Sequence, residues 1–81
     1  MNVDVIQRRI EAAIPGSQVE VLDQGGGDHI GVTVVSEAFA GKTRMQQHQM
    51  IYGLFKEEMA TEEIHAFALK TCTPDQAQGK S

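Results

Sequence analysis

Four side chains in this 81-residue chain have types suited to bond-making or metal chemistry: His29, His48, His65 and Cys72. Imidazole binds metals and moves protons near neutrality, and a thiolate is both a nucleophile and a soft metal ligand. The four are far apart in sequence. No H-x-x-x-H or C-x-x-C pair is present, so no segment carries a self-sufficient metal motif. No Ser-His-Asp or Cys-His arrangement is readable in the local sequence either. Asp28 precedes His29 and could orient its ring as carboxylates do behind metal-bound histidines, but an aspartate there also simply favours a turn. Cys72 reads as a small buried hydrophobe near a strand end. Glu57-Glu58 and Glu62-Glu63 read as a solvated acidic surface. Lys42 and Arg44 form one basic spot, more often a solvated helix start than a ligand site.

The element that must organise these residues spans 43–59. Met45, His48, Tyr52, Phe55 and Met59 recur at spacings of three and four, with Ile51 and Leu54 widening the stripe. The pattern predicts one amphipathic helix, capped by Thr43 and lying over a small sheet. His48 falls on the apolar stripe, where a hydrogen-bonded histidine at the core edge is expected before a ligand or base. A first helix is predicted over 3–14, with Asn2 as cap, Val3, Ile6, Ile10, Ala13 and Ile14 on its inner face, and Pro15-Gly16 as its stop.

Residues 17–23 and 29–36 alternate as strands. The glycine-rich segment 24–28 between them predicts an antiparallel hairpin. A glycine run can cradle phosphate when a helix follows, but here a strand follows. Phe39 is expected in the core, in the connection to the long helix. Residues 64–72 form a third strand, reached by a helical crossover. Thr73-Pro74 opens a last short helix, and a polar tail follows. The order α-β-β-α-β-α predicts an α+β fold, a small three-stranded mixed sheet with its helices on one face. A single domain over 1–77 with a flexible tail at 78–81 is expected.

A chain this short buries only about 60% of its unfolded surface, so modest stability is expected. The single cysteine excludes an internal disulfide framework and a self-contained cysteine cluster site, and it fits a reducing cytoplasm. No apolar run reaches the ~20 residues of a membrane span, and Asp4, Arg8, Arg9 and Glu11 interrupt any signal-peptide pattern. The net charge of −4 argues against tight non-specific nucleic-acid binding.

The segment VVSEAFAGKTRMQQHQMIYGLFKEEM, followed by IHAFALKTCTP, resembles the BolA family signature. Val34-Val35-Ser36, Phe39-Ala40-Gly41, His48, Tyr52, Ile64-His65-Ala66 and Thr71-Cys72-Thr73-Pro74 match it in order, and the likeness runs over about 3–76. The resemblance implies a class II KH-like fold. It also implies partnership with a monothiol glutaredoxin around a shared [2Fe–2S] cluster with glutathione, in iron–sulfur trafficking or iron and stress regulation. No cluster is expected on the chain alone.

The histidine of the family's I-H-A motif is a cluster ligand, here His65. The second family ligand comes from the loop between the first two strands. Residues 24–28 contain neither His nor Cys, which leaves His29 as the nearest candidate. Some family members are described as DNA-binding regulators. The family's R-H-R helix signature is here Gln47-His48-Gln49, which leaves Lys42 and Arg44 as weak DNA contacts.

Three functions follow in order of support. A non-enzymatic adaptor is first, with His65 and His29 toward a shared cluster. A nucleic-acid-binding module is second, since a KH domain grips its ligand through a G-x-x-G loop that this sequence lacks. An enzyme is third, because no acid–base or nucleophile constellation is visible. Self-association as a homodimer is a further option, and no membrane partner is expected.

Overall fold

The computed structural model describes residues 2–25, 29–64 and 66–79. Asn2 starts the fold as its sequence suggests, accepting the Asp4 amide at 2.7 Å. Helix α1 then spans Val3–Ala13. Ile6 and Ile10 are fully buried and Ile14 nearly so, whereas Ala13 is exposed. The inner face is therefore the 6–10–14 row at spacings of four, narrower than the predicted set. Gly16 takes φ +83° just after Pro15, the left-handed turn that lets the chain reverse into the sheet.

Strands β1 (Gln18–Gly25) and β2 (His29–Val35) pair antiparallel, with Val19 opposite Val34 and Val21 opposite Val32. The strand runs two residues beyond the expected turn, through Gln24 and Gly25. β2 is central, and β3 (Ala66–Cys72) pairs with it in parallel, giving the order β1-β2-β3. β2 therefore separates β1 from β3. Ile30, Val32 and Val34 point into the core, with Val19, Val21, Phe67 and Leu69 packed around them. Ile6 and Ile10 of α1 and Ile51 of the helix that follows the sheet's second strand cover this face. Leu22 stays 56% exposed on the opposite face of the sheet.

The segment 43–59 is not one helix. α2 spans Arg44–Tyr52, a 3₁₀ turn occupies Gly53–Phe55, and α3 spans Lys56–Ala60. Phe55 adopts φ −125° and ψ 24°, off the helical values, and is fully buried. The break frees the Leu54 carbonyl, and Arg9 of α1 satisfies it at 2.9 Å. The same guanidinium stacks 4.9 Å above the Phe55 ring and pairs with Glu58 at 3.0 Å. One arginine thus docks the first helix onto the discontinuity of the second.

The buried row of α2 also differs from the apolar pattern. Gln47 and Ile51 are buried, while Met45 is 71% exposed. Gln47 can be buried because each polar group of its amide is matched. Its Nε2 donates to the carbonyls of Phe39 and Lys42, at 3.1 and 3.0 Å, and its Oε1 accepts from the Thr71 hydroxyl at 2.6 Å. Phe39, in a 3₁₀ turn capped by Ser36, is buried as expected.

Candidate functional site

The parallel register decides what stands near what. His29 opens β2 and its backbone partner is Ala66, the first residue of β3. Neighbouring strands run about 4.8 Å apart. His65, the preceding residue in the chain, lies outside the described residues, as does Asp28 with its suggested role behind His29. His29 is exposed. Among the described residues no group of three or more His, Cys, Asp or Glu is placed to hold a metal.

The long-helix histidine sits elsewhere. His48 is half-buried, and its contact is an edge-to-face approach to Tyr52 at 6.0 Å rather than the expected hydrogen bond. Tyr52 in turn meets Phe67 edge-on at 5.6 Å, and its hydroxyl donates to the Phe67 carbonyl at 3.5 Å. This aromatic ladder fastens α2 to the beginning of β3, so His48 serves packing.

A second site forms at the opposite end of the strands. Lys42 and Arg44, at the start of α2, are joined by Lys70 of β3 around a cleft of about 640 Å³. Cys72 lies on its wall, half-buried, and is not the core hydrophobe that its sequence context suggests. Gln47 and Gln76 also line the cleft. Gln76 is held by the capping box of α4 (Pro74–Ala77): its Oε1 accepts from Thr73 N at 2.9 Å. Lys70 is the residue sequence reading missed. Its signal was parity, since it alternates with the inward Leu69 and so belongs to the open face of β3. β3 rises about 13 to 20 Å between Ala66 and residues 70–72, so the histidine end and the basic cleft are separate places.

Comparison with known proteins decides the family. The description "BolA-like protein" matches residues 2–76. The chain belongs to the BolA family. It is 33% identical over 82 residues to the DNA-binding transcriptional regulator BolA of Escherichia coli strain K12, covering 91% of this chain and 77% of that protein. It is 40% identical over 55 residues to the acid stress protein IbaG of the same strain. That match covers 68% of this chain and 66% of IbaG, so slightly less than two thirds of that relative's length is spanned.

The solution structure of BolA1 from Mus musculus superposes with a TM-score of 0.79 at 27% identity, covering 95% of this chain and 68% of that one. The α+β fold with its mixed sheet is therefore the BolA fold, with one refinement to the expected order: α2 and α3 are distinct, giving α-β-β-α-α-β-α. Among the described residues, no helix of this BolA-family chain is long and apolar enough to cross a membrane.

Proposed function

We propose that this BolA-family protein is a non-enzymatic adaptor that shares a [2Fe–2S] cluster with a monothiol glutaredoxin and glutathione in the cytoplasm, within iron–sulfur trafficking or iron and stress regulation. The observation that supports it best is the β2–β3 register, in which His29 stands opposite Ala66, the chain neighbour of His65. Two imidazoles, one from His29 and one from the residue preceding its strand partner, would suit one iron of a histidine-ligated cluster, as in centres where two histidines replace two cysteines. They cannot complete the ligand set of both irons, so thiolates must come from a partner. His65 would be the principal ligand and His29 the second, and exposure of His29 at the strand start leaves it accessible to a docking protein. Such a bound cluster supplies electron-accepting, transferable iron and sulfide. Neutral imidazole ligands make its retention sensitive to pH.

The test is co-purification with a monothiol glutaredoxin under anaerobic conditions, with and without iron and sulfide, read by visible absorption. A chromophore that needs both proteins supports the reading. Its absence from a complex that otherwise forms defeats it.

Nucleic-acid binding is a second reading, supported by the cluster of Lys42, Arg44 and Lys70 and by the name of the E. coli relative. With a net charge of −4, the expected affinity is weak and falls steeply with salt. Tight, sequence-selective binding at physiological salt in an anisotropy titration would reverse the ranking.

A further inference from the structure

We infer that the cleft between the start of α2 and the end of β3 is a binding site for the terminal phosphate of a small molecule, with Lys42, Arg44 and Lys70 as its charge and Gln76 as a neutral donor. This inference is independent of the histidine reading, because the two sites lie at opposite ends of β3.

The electrostatics carry it. Three of the seven Lys and Arg converge on one cleft, in a chain whose remaining four are set against eleven Asp and Glu. Among the described residues, no carboxylate lines the cleft. Among the described residues, the one Lys or Arg ion pair is Arg9 with Glu58, so none of the three cations is ion-paired with another described residue. Bringing like charges together raises the energy of the empty site, and an anion between them lowers it.

The frame is built, not loose. Lys42 is fixed through its backbone: its N–H donates to Phe39 at 3.1 Å and its carbonyl accepts from Gln47 at 3.0 Å. Lys70 stands on a strand paired residue by residue with β2, opposite Thr33. Gln76 uses its Oε1 on Thr73 N, which leaves its amide N–H groups as the available donors. The location is the carboxyl end of a parallel strand pair, where open sheets leave a ligand crevice. The cleft, about 640 Å³, falls within the range of small-molecule pockets, about 300–1,000 Å³.

A compact dianion fits these facts better than a polymer. Nucleic acid gains affinity by neutralising phosphates along a track. Here the cations form one focus rather than a track, and the acidic remainder repels a long polyanion. A single phosphate senses only charges within about one Debye length, about 8 Å at physiological ionic strength.

The test is an amide chemical-shift titration of the full chain with inorganic phosphate, adenosine 5′-monophosphate, adenosine, and a single-stranded oligonucleotide with no terminal phosphate. Saturable shifts with phosphate and the monophosphate, centred on residues 42–44, 70–72 and 76, are expected, with none from adenosine. Lys70→Gln, an exposed change that leaves the core intact, should weaken the monophosphate roughly five- to tenfold. The same variant should leave the chromophore of the glutaredoxin complex unchanged, so failure here and failure of the cluster reading are separable. Lack of saturation by about 10 mM monophosphate, a dissociation constant too weak to matter, would overturn the inference. So would an unaltered affinity in Lys70→Gln. Binding of the unphosphorylated oligonucleotide more tightly than the monophosphate would overturn it in favour of a nucleic-acid surface.

Discussion

Thr71 donates its hydroxyl to Gln47 Oε1 across 2.6 Å, joining β3 to a buried glutamine of α2. Through the same amide, α2 holds the carbonyls of Phe39 and Lys42. Gln47→Ala strands one buried and one part-buried carbonyl and a hydroxyl, and should cost about 1–3 kcal/mol. Thr71→Val removes one bond and should cost about 1 kcal/mol. Urea denaturation measures both. Equal costs for the two variants would show that the carbonyl contacts of Gln47 contribute nothing.

Arg9 holds the Glu58 carboxyl below the usual glutamate range, chiefly through the side-chain hydrogen bond, helped by a backbone hydrogen bond, opposed by desolvation, and helped further by the guanidinium charge. A carboxylate whose folded pKa is depressed binds fewer protons folded than unfolded. Its contribution is complete above the ordinary glutamate range and is lost as the pH falls through the folded value. Glu58→Gln should therefore lower the melting temperature at about pH 7 and converge with the parent once the pH has fallen below the folded value. Curves that stay parallel across that range would show that the Arg9–Glu58 contact is not the source.

Two glycines should respond in opposite directions to alanine. Gly16 sits at φ +83°, so Gly16→Ala should destabilise by about 1–2 kcal/mol although open space surrounds it. Gly53 has φ −61° and ψ −23°, ordinary helical values, with nothing within 4 Å of an added Cβ. Gly53→Ala should stabilise by about 0.5–1 kcal/mol. A loss at Gly53 would mean that the 3₁₀ turn needs glycine for another reason, and calorimetry distinguishes the two cases.

The three histidines should separate by spectrum and by stability. His65→Ala should abolish or sharply alter the visible spectrum of the glutaredoxin complex, and His29→Ala should alter it in part. His48→Ala should leave the spectrum and lower the melting temperature, because its ring contact is with Tyr52. A spectrum indifferent to His65→Ala and lost with His48→Ala would overturn the assignment.

Without a partner, anaerobic reconstitution of the isolated chain should give no stable stoichiometric chromophore. The motivation is a single cysteine, too few thiolates for the iron of a cluster. A stable chromophore without added thiol would refute this.

Local features were readable because local chemistry sets them. Asn2, Thr43 and Thr73 cap helices, Pro15-Gly16 stops one, and the alternation of Ile30, Val32 and Val34 marks the buried face of the central strand. Each depends on neighbours within a few residues, where propensity and side-chain hydrogen bonding act directly. The family was also legible, because its motif is spread along nearly the whole chain. Tertiary structure alone decided the rest. The long helix breaks where Arg9, 45 residues away, takes the Leu54 carbonyl. Gln47 is buried because Phe39, Lys42 and Thr71 satisfy it, and Met45 is exposed despite its hydrophobicity because α2 turns the Gln47–Ile51 row inward. Lys70 shares a cleft with Lys42 and Arg44 only because β3 returns parallel to β2. The physical reason is common to all three. A helix pattern records which residues could face inward, but the partner that satisfies a carbonyl, an amide or a charge comes from elsewhere in the chain and exists only once the chain has folded.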